Sequence, residues 1–145
     1  MIENFIPFYE KLYNFVLYNL LSTAMGDYYI GLDGDSIGRI IESFLISGEE
    51  AKVVKFSQSI SMVLEEIKTR VIELNGRVLF CSGDSILFYG KFDMPFCSSL
   101  LKSFKSRTNC SASIGIGKTL PDVYLGLKLA KSRGGNQAVV YPIEL

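Results

Sequence analysis

Apolar residues first recur at helical spacing. Phe5, Phe8, Leu12, Phe15, Val16 and Leu20 predict an amphipathic helix over residues 2–24, with Pro7 early enough to be tolerated. Gly26-Asp27 ends that segment, and Tyr28-Tyr29-Ile30-Gly31-Leu32 is a short β-prone run closed by Asp33-Gly34-Asp35-Ser36, a turn that can also start a helix. Residues 37–46 read as a short helix, and Ser47-Gly48-Glu49-Glu50 as a break with an acidic restart. Helical spacing then returns through Val53, Val54, Ile60, Val63, Leu64, Ile67, Val71 and Leu74, predicting a long helix over 50–74 that Asn75-Gly76 terminates. Two β-prone runs, 77–81 and 86–89, flank a four-residue Ser82-Gly83-Asp84-Ser85 turn, which is a hairpin signal. A helix over 95–107, a strand over 111–116, a helix over 121–132 with Pro121 at its start, and a strand over 137–141 complete the chain. This order contains a βα-ββ-αβ core. It predicts an α+β, ferredoxin-like domain over residues 27–145, with helices on one face of an antiparallel sheet, preceded by the helical segment 1–26.

Composition narrows the chemistry. The 145 residues include no histidine, so serine- or cysteine-histidine nucleophile systems and imidazole acid/base catalysis are excluded. Catalysis here has to run on carboxylates, hydroxyls, lysines, backbone amides and bound metal. Hydrophobic residues at 48% allow a packed core. Cys81, Cys97 and Cys110 are too few and too scattered for a disulfide framework or a zinc site, and read as buried reduced thiols. The N-terminus lacks a basic region before its apolar stretch, and the uncharged run from Leu12 to Gly26 is 15 residues, short of a bilayer span. A cytoplasmic protein without direct membrane or nucleic-acid binding is the expectation.

The 15 basic and 15 acidic residues cancel, but they segregate. Residues 1–90 carry a net of −5 and residues 91–145 a net of +5, as suits a site with a cation on one side and an anion on the other, or simply two solvated faces. Two acidic turns each follow an apolar strand. In a ferredoxin-like sheet the first strand neighbours the central hairpin, so Asp33 and Asp84 can project at one sheet edge. Such a carboxylate pair suits hard divalent cations that share their remaining positions with phosphate and water. An isolated Ser-Gly-Asp-Ser is an ordinary turn; it is the pairing that points to a site. The segment from Asp33 to Gly38 opens a helix with small residues, so its amides can approach a phosphate, although many helix starts look alike. Lys128 and Lys131 lie three apart late in the last helix; they can hold a triphosphate tail or merely balance the helix dipole.

The strand followed by DGDSIG, the long helix, GRVLFCSGDSILF, the SIGIG strand and LKLAKSRGGNQAVVY together resemble the palm domains of nucleotidyl cyclases, and in particular the minimal CRISPR polymerase (mCpol) family. That family is related to the palm of the large type III CRISPR subunit and to GGDEF diguanylate cyclases. The resemblance spans roughly residues 28–142. It implies that Asp33, the carbonyl of Gly34 and Asp84 hold Mg²⁺ or Mn²⁺ in a two-metal site, with Asp33 and Asp84 catalytic. It further implies that the amides of Ser36, Ile37 and Gly38 hold a triphosphate and that Lys131 binds its terminal phosphates. Asp35 and the hairpin residues Ser82, Gly83 and Ser85 are expected among the nucleotide contacts. Ser85 stands where the family's hairpin has a second acid, and Ser82 where it has a first glycine. Relatives join ATP into cyclic oligonucleotides in prokaryotic antiviral defence, read by a separate effector. A cyclic di-adenylate made by a homodimer is therefore expected, with a degenerate nucleotide-binding module or a cyclic-AMP-type cyclase as alternatives.

Overall fold

A computed structural model describes residues 9–13, 16 and 26–142. Residues 9–13 and 16 are helical and exposed, and the remainder of the helix expected over 2–24 lies outside the described residues. Among the described residues no helix is long and apolar enough to cross a membrane.

Large and small residues alternate along the two central strands, and this decides the layering. Strand β1 (Tyr28–Gly34) pairs antiparallel with β4 (Ala112–Gly117), so that Ile30 faces Ile116, Gly31 faces Gly115 and Leu32 faces Ile114. Side chains alternate between sheet faces. The isoleucines and leucine therefore share one face with Ile86 and Phe88 of β3 (Ser85–Gly90). That face is covered by helix α2 (Glu50–Glu73) through Ile60, Val63, Leu64, Ile67 and Val71, and by α3 (Met94–Thr108) through Cys97, Leu100 and Phe104. Arg70 of α2 ties the two helices by donating to Ser99 Oγ at 2.7 Å and stacking over Phe96.

The glycines lie on the opposite face. A Cβ at Gly31 would meet Val123, and one at Gly117 would meet Asp122, both on α4 (Leu120–Ser132). At Gly115 it would run into the α4 backbone at Val123 O and Leu127 N. Gly126 of α4 completes the approach, since its own Cβ would lie 2.9 Å from Val139 O. Helices therefore cover both faces, not one as the element order predicts. Glycine allows a helix to lie directly on strand backbone, where larger side chains would hold it off.

The sheet order is β2-β3-β1-β4-β5, with β2 (Arg77–Ser82) and β5 (Ala138–Val140) at the edges. The first four strands form the expected antiparallel ferredoxin-like set, whereas β5 adds parallel to β4 and makes the sheet mixed. The hairpin turn is tighter than expected. Ser82 pairs with Ser85, leaving only Gly83 and Asp84 in the loop, and Gly83 has φ 60°. A positive φ at the first loop position is what a type II′ hairpin turn requires. The apolar face of α2 is shorter than its sequence suggests: Val54 is half-exposed, and so is Leu74, just past the end of the helix. Of the thiols only Cys97 is buried, and burial pushes it up to about 12, so it is inert; Cys81 and Cys110 are half-buried and all three are free.

Gly115→Val should lower stability by about 3 kcal/mol, because the added branch collides with backbone that has no rotamer to yield. Urea unfolding followed by circular dichroism measures it.

Candidate active site

The rim of the sheet formed by strand ends, where the central strand β1 runs out, gathers the end of β1, the hairpin tip, the start of α1 (Ile37–Ile46) and the end of α4. The register brings them there. Asp33 sits opposite Ser85 on β3 and Ser113 on β4. The hairpin tip is tied to β1 by main chain, with Gly34 N–H donating to Asp84 O at 3.1 Å. The carboxylate of Asp84 lies over Gly34: a Cβ there would be 3.1 Å from Asp84 Oδ2 and would also strike Ile37. Burial, then the neighbouring charge of Asp33, push the Asp84 carboxyl above its ordinary range. The Asp33 side chain is 28% exposed and accepts from the Ser85 hydroxyl on Oδ1.

Lys131, in the last turn of α4, reaches the same place. Its Nζ lies 3.0 Å from Asp33 Oδ2, 2.9 Å from Gly34 O and 3.1 Å from Asp35 Oδ1. Burial opposes its charge, but the bonds to Asp33 and Asp35 outweigh this and hold its pKa above the usual lysine value. Lys128 does not join it. Three positions earlier on the helix, its ammonium is turned onto the Tyr124 ring at 5.4 Å and is exposed, because residues four apart stack on a helix face.

Asp35 has a full set of partners within the chain. Its carboxylate accepts from Ser111 Oγ and Ser113 Oγ at 2.7 Å each, from Asn136 N–H at 2.9 Å and from Lys131. Burial raises its pKa, but these four donors together bring it below the ordinary carboxylate range. Its own N–H donates to Ser111 O at 2.9 Å. Asp35 thus fastens β1, β4 and the loop after α4 to one another. Gly135 in that loop is hemmed in by this carboxylate, and a Cβ there would collide with it. Ser111, Ser113 and Asn136 escape a reading of the sequence, although Ser111 and Ser113 share a strand face by their spacing of two.

Ser36 precedes α1 in the left-handed conformation, φ 59° and ψ 23°, with no side-chain cap on the helix. The first i→i−4 bond of α1 runs from Ile40 N–H to Ser36 O, so the amides of Ile37, Gly38 and Arg39 come before it and have no cap from the Ser36 side chain. Ile37 is buried and anchors this start in the core, while Gly38 faces open space. Ser82 and Ser85 flank the hairpin tip as a facing pair.

Among the described residues no group of three or more His, Cys, Asp and Glu side chains gathers around a metal position. The donor set at this edge is two carboxylates and one carbonyl. It fits a hard divalent cation in two respects: like charges on Asp33 and Asp84 are held together, and the absent Cβ of Gly34 lets the Asp84 carboxylate lie close against the β1 backbone.

The sequence profile of the minimal CRISPR polymerase domain (mCpol) matches residues 29–141. No curated protein compared with the chain matches it. Among solved structures, the Csm1–Csm4 cassette in complex with cA4 has TM-score 0.61 at 20% identity, over 86% of this chain and 22% of that one. The same cassette in complex with one ATP gives 0.61 at 19% identity, over 89% and 22%. A diguanylate cyclase/phosphodiesterase from Caldicellulosiruptor saccharolyticus gives 0.52 at 17% identity, over 88% and 85%. The chain thus spans about a fifth of the cassette chain it matches, and these likenesses establish a common fold.

Asp35→Ala should cost about 2–3 kcal/mol of stability, since it strands two serine hydroxyls and the Asn136 N–H without their acceptor. Chemical denaturation reads the loss, and Asp35→Asn should recover part of it.

Proposed function

The chain belongs to the minimal CRISPR polymerase domain family, and from that premise we propose that it is a metal-dependent nucleotidyltransferase joining ATP into a cyclic oligonucleotide, a cyclic di-adenylate, in prokaryotic antiviral defence. The observation that carries the reading is the meeting of Asp33, Gly34 O and Asp84 at a sheet edge that also holds an uncapped helix start and an ammonium. Asp33, the Gly34 carbonyl and Asp84 hold Mg²⁺ or Mn²⁺. A divalent cation bound there supplies Lewis-acid stabilisation of the charge on a triphosphate.

The chain's own groups do the rest. The amides of Ser36, Ile37 and Gly38 take phosphate oxygens at the positive end of the α1 dipole. Lys131 pairs with the terminal phosphates. The two-residue turn keeps Gly83 at the tip, where the backbone is bare enough for a nucleotide to lie against it between Ser82 and Ser85. In the reaction a ribose hydroxyl oxygen bonds to the α-phosphorus of a second nucleotide, the bond to pyrophosphate breaks, and the hydroxyl proton passes to solvent water. Orientation of the two reactants is the main task of a site without a histidine base.

Closing a two-nucleotide ring takes two such attacks. One domain offers one donor position, so two copies facing each other is the arrangement that completes the product, which a separate effector then reads. Ser85 replaces a second acid in the hairpin, and its hydroxyl bonds Asp33. A domain that only binds nucleotide is the reading that this feature would favour.

Incubation with each nucleoside triphosphate and Mg²⁺ or Mn²⁺, followed by mass spectrometry, should give a cyclic di-adenylate with release of pyrophosphate. Asp33→Ala and Asp84→Ala should each abolish it. Turnover retained by Asp84→Ala would sink the cation assignment, ATP binding with no product would favour the binding module, and cyclic AMP would mark a mononucleotide cyclase. Specific activity should fall on dilution, and a monomer with undiminished activity in sedimentation would contradict the facing pair.

A further inference from the structure

Three oxygens from three consecutive residues converge on one ammonium. Lys131 Nζ lies within 2.9–3.1 Å of Gly34 O, Asp33 Oδ2 and Asp35 Oδ1. An ammonium has three protons and no acceptor, so these three contacts use its full donor capacity. Asp33 and the Gly34 carbonyl are also the oxygens assigned above to a divalent cation. The ammonium and the cation thus claim the same lone pairs, and two such charges cannot share them without strong repulsion.

The third contact differs from the other two. Asp35 is held by Ser111, Ser113 and the Asn136 N–H, none of which belongs to the cation's donor set. Its grip on Lys131 does not depend on what binds at Asp33. The lysine stem, on the last turn of α4, is long and free to re-aim its head about that anchor.

We infer that Lys131 is a built-in counter-cation for Asp33 and Gly34 O that is exchanged when the site loads. The divalent cation takes those two oxygens, and the ammonium, kept near by Asp35, turns to a terminal phosphate of the incoming nucleoside triphosphate. This deepens the proposed function and rests on its reading of the site. A cation arriving alone must evict the ammonium without offering it a new partner. A cation arriving with triphosphate supplies one. Lys131 is then a positioning residue that makes the site take cation and triphosphate together.

The test uses the full chain and Mn²⁺ alone, with bound metal counted by electron paramagnetic resonance. Lys131→Met should bind Mn²⁺ without nucleotide about tenfold more tightly than the wild type, the size of an ordinary coupling between sites. Lys131→Arg, which keeps the charge, should stay near the wild type. A second readout needs no variant. Acylation of Lys131 by an activated ester, followed by mass spectrometry, should rise with saturating Mn²⁺ alone and fall when a non-hydrolysable ATP analogue is added with it. Equal Mn²⁺ affinity in Lys131→Met and wild type overturns the exchange. Should Lys131→Met fail to fold, Lys131 labelling that Mn²⁺ leaves unchanged overturns it in the wild type. Asp33→Ala separates the two levels. If it binds Mn²⁺ and the analogue as well as the wild type, the site reading fails and the exchange with it. If it loses them while Lys131→Met matches the wild type, the exchange alone fails.

Discussion

The closeness with which α4 lies on β4 governs the geometry of the acidic edge. Gly115 and Gly126 bring helix and strand backbones together, with no side chain between them to compress or to slide upon. The helix is thereby fixed in height and in rotation, and Lys131 in its last turn arrives within hydrogen-bonding distance of three particular oxygens. A helix held off by leucines would carry its lysine a few ångströms farther from the sheet, into solvent. Backbone contact on one face of the sheet and dense aliphatic packing on the other are two outcomes of one alternating strand pattern. The apolar face supplies most of the stability, and the glycine face supplies the placement.

Charge is managed in the same place by division of labour among three aspartates. Asp35 is almost fully committed to hydroxyls and an N–H, and its negative charge is stabilised where it stands. Asp84 is the reverse case: partly buried beside another carboxylate, it has its pKa raised above the ordinary range by burial and then by the charge of Asp33, despite the Ser85 bond and the nearby Lys131. Asp33 lies between them, shared by a serine from the hairpin and the lysine from α4. Two aspartates two positions apart, one in β1 and one just past its end, thus have different surroundings. The cause is that Asp35 turns toward β4, whereas Asp33 and Asp84 share the hairpin side.

Much of this was legible in the chain, and the omissions have physical causes. Element order and type follow from periodicity, and the pairing of β1 with the hairpin follows from the βα-ββ-αβ order, so the meeting of Asp33 with Asp84 needs no structure to foresee it. The second helical face did not follow, although its signal is present: Gly31, Gly115 and Gly117 alternate with Ile30, Leu32, Ile114 and Ile116. Read as a strand pattern, that alternation marks one face for side-chain packing and the other for backbone contact. The partners of Asp35 were beyond reach for a different reason. Ser111 and Ser113 lie more than seventy residues away, and only the register of β1 on β4 brings them under the carboxylate. Lys128 was drawn into the site by its spacing from Lys131; an aromatic ring four residues earlier on its own helix decides its direction instead.

The outer strand β2 has a register shift between Val78 and Phe80, and the opposite edge, β5, is only three residues long. A bulged border and a stub border are poor templates for adding another strand. Neither flank of the sheet invites main-chain continuation into a neighbouring molecule. Among the described residues the surfaces left for contact are helices, turns and side chains, whose substitution need not disturb the pleated framework.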